Sequence, residues 1–146
     1  MSDGVASGRR EDKSGRALAD RLTVAGFMVV EREVTADGGA QVASALRRLA
    51  QDFTGLIVTT GGTGFGPRDL TPEGTKAAVD REAPGLAEAM RLVSPYGRLS
   101  RAIAGTIGAS LVLNVPGSQS GAIECIEAVL DVIPHALELL RGDQPH

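Results

Sequence analysis

The chain has 146 residues, 42% of them hydrophobic, which suits one domain over 1–146 with one core. A net charge of −3 leaves no electrostatic footprint for nucleic acid, and a single cysteine excludes both an internal disulfide and a cysteine-based zinc site. No apolar run approaches membrane-spanning length and no signal-peptide pattern opens the chain, so a reducing cytoplasm is the expected setting.

Residues 2–13 are polar and contain glycine; Arg9, Arg10 and Lys13 are interrupted by Glu11 and Asp12 and read as a solvated loop. A helix is predicted over 14–25, with Leu18 and Leu22 on one face and Gly26 as its stop. Residues 27–34 are rich in β-branched side chains and predict a strand, followed by the turn Asp37-Gly38-Gly39. Over 40–53, Val42, Leu46, Leu49 and Phe53 fall at helical spacing.

Leu56-Ile57-Val58 predicts a parallel strand covered on both faces. Thr71-Pro72 predicts a helix start with Thr71 as its cap, and another helix runs from Pro84 to about residue 93. Residues 94–108 are irregular. Leu111-Val112-Leu113 predicts a second buried strand. Ile123, Ile126, Leu130, Ile133, Leu137 and Leu140 then describe one final helix, kinked or divided at Pro134. The order predicts an α/β fold, a mostly parallel sheet with helices on both faces. One strand is missing: a doubly wound sheet starts with a strand that feeds the first loop, yet here a helix comes first.

Three loops after strands carry the chemistry. Gly61-Gly62-Thr63-Gly64 frees backbone N–H groups to face an anion, although a tight strand-to-helix turn also explains the glycines. The spacing fits neither a P-loop nor a dinucleotide fingerprint. Asp69 follows in Pro67-Arg68-Asp69; a carboxylate beside a phosphate cradle points to Mg²⁺, and the alternatives are pairing with Arg68 or capping a turn. Gly117-Ser118 offers a helix start for an anion, and Asp37 sits in a turn. In a parallel sheet these loops share one edge, so they should meet. His135 reads as a helix-surface residue, His146 as terminal, and Cys125 as a small packing residue.

Thr59-Thr60-Gly61-Gly62-Thr63-Gly64 with Pro67-Arg68-Asp69 and Thr71-Pro72-Glu73 resembles the signature of the MogA/MoaB family. That family includes the molybdopterin-adenylylating G domains of plants and of gephyrin. Leu99-Ser100-Arg101-Ala102 with Gly105, then Asn114-Val115-Pro116-Gly117-Ser118 and Glu124, resembles its second signature. Ser2-Asp3 and Glu11-Asp12-Lys13-Ser14-Gly15 resemble its N-terminal motif, so the likeness covers essentially the whole chain.

The resemblance implies a three-layer α/β domain that forms trimers, or hexamers in some members. It implies molybdenum-cofactor synthesis: Mg²⁺-dependent transfer of AMP from ATP to molybdopterin, releasing pyrophosphate, with a molybdenum insertase as downstream partner. By position, Asp37 and Asp69 match acidic residues of the catalytic step and are the Mg²⁺ candidates. Thr60, Gly61, Gly62, Thr63, Gly64, Ser100, Arg101, Asn114, Gly117 and Ser118 match positions around the ligands, with Asp3, Ser14 and Gly15 as first-loop contacts. The alternatives are a molybdopterin-holding MoaB-type paralogue and an oligomeric scaffold. The resemblance also places the family's first, apolar strand ahead of Ser2, which implies a start upstream of Met1.

Overall fold

The computed structural model describes residues 12–143. Helix α1 (Lys13–Val24) begins where the Asp12 carboxylate accepts the Gly15 amide at 3.0 Å, and it buries Leu18. Helix α2 (Gly39–Ala50) buries Val42, Ala43, Ala45 and Leu46. Strand β1 (Gly55–Thr60) leads through the glycine-rich loop to α3 (Thr71–Ala78). The two-residue strand β2 (Arg81–Glu82), α4 (Pro84–Arg91), a 3-10 turn (Pro95–Leu99) and β3 (Ala104–Ile107) follow. The chain closes with β4 (Ser110–Val115), α5 (Gln119–Glu127) and α6 (Ile133–Leu140).

The four strands lie in the order β1-β4-β3-β2. Strands β1 and β4 run parallel, with Leu56 opposite Leu111 and Thr60 opposite Val115. Helices cover both faces, as expected. On one, Leu18, Met90, Ile126, Ile133 and Leu137 pack against Leu111 and Leu113. On the other, Val42, Leu46 and Ala78 pack against Ile57 and Val112. Strand β4 is buried along its whole length because it has a strand on each side and helices above and below.

Several expectations are corrected. The sheet is mixed rather than mostly parallel: β3 is antiparallel to both β4 and β2. Residues 94–108, expected to be irregular, supply β3. Thr71 lies inside α3 rather than capping it; Leu70 holds the cap position and Pro72 the first turn. The final helix is divided, as expected, but at 128–132, ahead of Pro134, which sits in the opening turn of α6, where a missing N–H costs no helical bond.

The strand predicted over 27–34 is extended chain outside the sheet, with Met28 86% and Val30 66% exposed. A strand exists only by pairing, and among the described residues the segment's one main-chain hydrogen bond runs from the Phe27 amide back to the Leu22 carbonyl of α1, not to a strand. Leu56 and Val58, expected to be covered on both faces, are only half-buried; among the described residues β1 pairs with no strand on its outer side. His135 is exposed and 3.7 Å from Glu138; His146 lies outside the described residues.

Candidate active site

Parallel strands β1 and β4 end together, so the loops that leave them start side by side. The Gly61 amide donates to the Val115 carbonyl at 3.0 Å, and the Thr60 hydroxyl donates to the Pro116 carbonyl at 2.9 Å. Gly61 and Gly117 approach so closely that a Cβ on Gly117 would lie 3.3 Å from the Gly61 Cα. The first turn of α1 joins them, with the Ser14 hydroxyl 3.1 Å from Thr60 Oγ1. Three segments distant in sequence thus form one edge; the Gly61 and Gly117 loops meet as the loop argument expected, whereas the loop of Asp37 follows no strand.

Gly61 and Gly62 adopt φ of +93° and +69°, a region costly for other residues, and the bend turns the chain from β1 toward α3. The Gly62 carbonyl accepts the Thr71 amide at 3.1 Å, which closes the loop onto the helix. Asp69 accepts the Gly66 amide at 2.9 Å, so the turn-capping alternative is realised. Asp69 also lines a cavity of about 1050 Å³ shared with Asp37, Thr60, Gly61, Gly62 and Gly117. Ser14, Gly15 and Arg68 line the same cavity.

The remaining expected site residues stand behind that wall. Arg101 Nε donates to the Gly64 carbonyl at 2.8 Å, and the rest of its guanidinium reaches the Asp69 carbonyl and the Glu73 carboxylate. The Arg101 amide donates to the Thr63 carbonyl at 2.9 Å. This residue therefore clamps the 63–69 loop from three sides. The hydrogen bond from Arg101 holds the Glu73 carboxyl below its ordinary range, against an opposing effect of burial.

Asn114, 1% exposed, accepts the Ile103 amide and donates to the hydroxyls of Thr59 and Thr75 at 2.8 and 2.9 Å. The Ser100 hydroxyl accepts the Ala102 amide at 3.2 Å. Ser118 caps α5 by accepting the Gly121 amide, as anticipated for that helix start. Asp3 lies outside the described residues.

The family model described as "Probable molybdopterin binding domain" matches residues 1–135. The chain belongs to that family.

Its relatives agree. It is 36% identical over 149 residues to the molybdopterin adenylyltransferase of Helicobacter pylori strain J99, covering 97% of this chain and 85% of that protein. The molybdopterin adenylyltransferase of Escherichia coli K12 is 35% identical over 161 residues, covering 97% and 83%. The crystal structure of the molybdopterin biosynthesis enzyme MoaB from Thermus thermophilus matches with a TM-score of 0.91 at 45% identity, covering 97% of this chain and 92% of that one. The MogA/MoaB resemblance read from the motifs is thereby shown, with its α/β fold.

Within this molybdopterin-binding-family domain, sequence reasoning missed two residues of the site's frame. Glu73, quoted only as part of a motif, is the acidic partner of Arg101. Asp12 caps α1 and pairs with Arg32 at 3.0 Å, fixing the helix whose first turn carries Ser14. The Asp12 to Gly15 spacing is a cap signal that could have disclosed it. Among the described residues no group of three or more metal-ligating side chains assembles. Mg²⁺ does not require one, since it binds through one or two carboxylates with substrate phosphates and waters completing its shell. Asp37 and Asp69 on one cavity fit that donor set.

Proposed function

We propose that this chain is a molybdopterin adenylyltransferase acting in molybdenum-cofactor synthesis, with ATP as co-substrate and Mg²⁺ as its metal. The observation that carries this reading is the meeting of the Ser14, Gly61 and Gly117 segments with Asp37 and Asp69 around one cavity. In the reaction, an oxygen of molybdopterin's terminal phosphate attacks the α-phosphorus of ATP. A new P–O bond forms as the α–β bridging bond breaks, and the electron pair leaves with pyrophosphate.

The nucleophile is already anionic near neutral pH, so no strong base is needed, and among the described residues no histidine lines the cavity. The barrier lies in bringing two anions together and stabilising the departing charge. Main-chain amides of the glycine loop and the start of α5 serve the phosphates, and Arg68 on the rim adds a cation. Asp69 with Asp37 would hold Mg²⁺, which would supply charge neutralisation. Arg101 keeps the Asp69 loop in shape rather than meeting the phosphates itself. The exposed Leu92, Val93, Tyr96 and Leu99 offer an apolar patch for the trimer or hexamer that the family implies. We assign the protein to the cytoplasm, with an insertase taking up its product; among the described residues no helix is long and apolar enough to cross a membrane.

The deciding experiment measures pyrophosphate release from Mg-ATP with and without molybdopterin, in the wild type and in Asp69→Ala. Release that requires molybdopterin and falls at least about 10²-fold in the variant supports the assignment. Release that survives the substitution overturns the role of Asp69. Molybdopterin binding without release marks a holder of the pterin instead.

A further inference from the structure

Aromatic side chains are scarce in this chain: three Phe, one Tyr and no Trp. Phe27 and Phe53 are half-buried and pack against the two apolar clusters. Phe65 is different. It is 69% exposed, belongs to neither cluster, and stands between Gly64 and Gly66 on the loop that carries Asp69. A single exposed Phe is ordinary on a protein surface, so its place matters more than its exposure.

That place is held from both sides. Arg101 Nε donates to the Gly64 carbonyl at 2.8 Å. Gly66 is bonded to Asp69 twice: its amide donates to the carboxylate at 2.9 Å, and its carbonyl accepts the Asp69 amide at 3.0 Å. A Cβ on Gly64 or Gly66 would lie 3.1 or 2.8 Å from Asp69 Oδ2, so both neighbours of Phe65 crowd that carboxylate. An apolar ring therefore stands beside Asp69 on backbone that is already ordered, which keeps the ordering cost of binding against it small.

Phe65 is also set off from the cavity. Gly61 and Gly62 line that space, as do residues 66–69, whereas Thr63, Gly64 and Phe65 do not. The glycine loop thus presents cavity wall at its two ends and an exposed ring between them. Adenylylation joins two reagents at their phosphates, and each carries a flat heterocycle. The pterin has the ring edge richer in donors and acceptors, and the enclosed walls suit it. Adenine hangs one ribose from the α-phosphate and needs only a face to lie on close to that phosphate.

We propose that Phe65 is the platform on which the adenine of ATP stacks, an assignment that rests on the adenylyltransferase reading above. Stacking uses the face of a base and not its hydrogen-bonding edge. Phe65 offers a face and no polar group, so by itself it favours purine over pyrimidine nucleotides and separates ATP from GTP little.

Because the chain has no Trp, Phe65→Trp installs one fluorescent reporter and keeps a stacking face. Mg-ATP should quench its emission, and magnesium triphosphate, which lacks a base, should not. In pyrophosphate-release kinetics, Phe65→Ala should raise the KM for ATP on the order of tenfold, leaving kcat and the KM for molybdopterin nearly unchanged. Phe65→Trp should restore the KM for ATP. The exposed ring can be removed with Tm held to within roughly 1 °C. Absence of quenching by Mg-ATP, an unchanged KM for ATP in Phe65→Ala, or a rise confined to the KM for molybdopterin overturns the assignment. A changed mass in light scattering with both KM values intact makes the ring a contact between copies and overturns it too. If the wild type releases no pyrophosphate, the adenylyltransferase reading fails, and the fluorescence titration alone decides whether the ring meets the base.

Discussion

Replacing Asn114 with alanine separates a frame residue from a ligand contact. The side chain is 1% exposed and makes three hydrogen bonds: it accepts from Ile103 N and donates to Thr59 Oγ1 and Thr75 Oγ1. Each intramolecular hydrogen bond contributes about 1 kcal/mol net, so three removed together cost about 3 kcal/mol. Thr75 keeps its own donation to the Thr71 carbonyl at 2.8 Å, so its proton is not stranded. The loss is large against the roughly 5–15 kcal/mol that holds a domain together. At about 2–4 °C per kcal/mol for a chain near this size, Tm should fall by about 6–12 °C.

The assay is a thermal melt by circular dichroism, paired with a double-mutant cycle using Thr59→Val. The two side chains touch, so the cycle should return a coupling of about 1 kcal/mol. The KM for molybdopterin, measured on folded protein below the transition, should stay unchanged. A Tm drop under about 3 °C together with a raised KM would refute the reasoning, because Asn114 would then face the ligand rather than the core.

Gly62→Ala should lose about 1–2 kcal/mol, since φ of +69° disfavours a Cβ and the new atom would sit 2.3 Å from Thr71 Oγ1. Gly85→Ala, in α4 with open space around its Cβ site, should gain about 0.5–1 kcal/mol, both changes being read by urea titration. Arg101→Lys cannot span the Gly64 and Asp69 carbonyls and the Glu73 carboxylate at once. Faster amide exchange at Gly66 and Asp69, with kcat/KM down at least about tenfold, is expected. The folded pKa of Glu73 is depressed, so its pairing stabilises the protein above the usual glutamate value of 4.5 and is lost as pH falls through the lower folded value. The Tm gap between wild type and Glu73→Gln should therefore be present at neutral pH and close in acid; a gap that widens in acid would reverse the assignment.

Strand β1 and strand β4 were legible because their apolar runs match their surroundings, and β4 is buried at every residue. Strands β2 and β3 were not. Arg81–Glu82 is two exposed residues, and Ala104–Ile107 opens on Ala-Gly; β3 is a strand because β4 offers it an edge, and β2 because β3 in turn offers one. Residues 27–34 show the reverse case, strong local preference with no partner strand among the described residues. Strand propensity is a preference for a half-buried pleated surface, and it cannot report whether the surface exists.

The same division runs through the site. The loops were legible because glycines after a buried strand have a local cause, and their meeting follows from parallel β1 and β4 ending together. The duties of Arg101 and Asn114 were not legible, because their partners include main-chain carbonyls and amides brought near by the fold. A motif marks that a residue is needed near the ligand. Whether it touches the ligand or holds the residue that does depends on where its hydrogen bonds go, and here both sets end on protein. Asp69 also bonds to protein, at the Gly66 amide, but unlike Arg101 it lines the cavity, so on the proposed reading its loss, rather than that of Arg101, is expected to act on the chemistry directly.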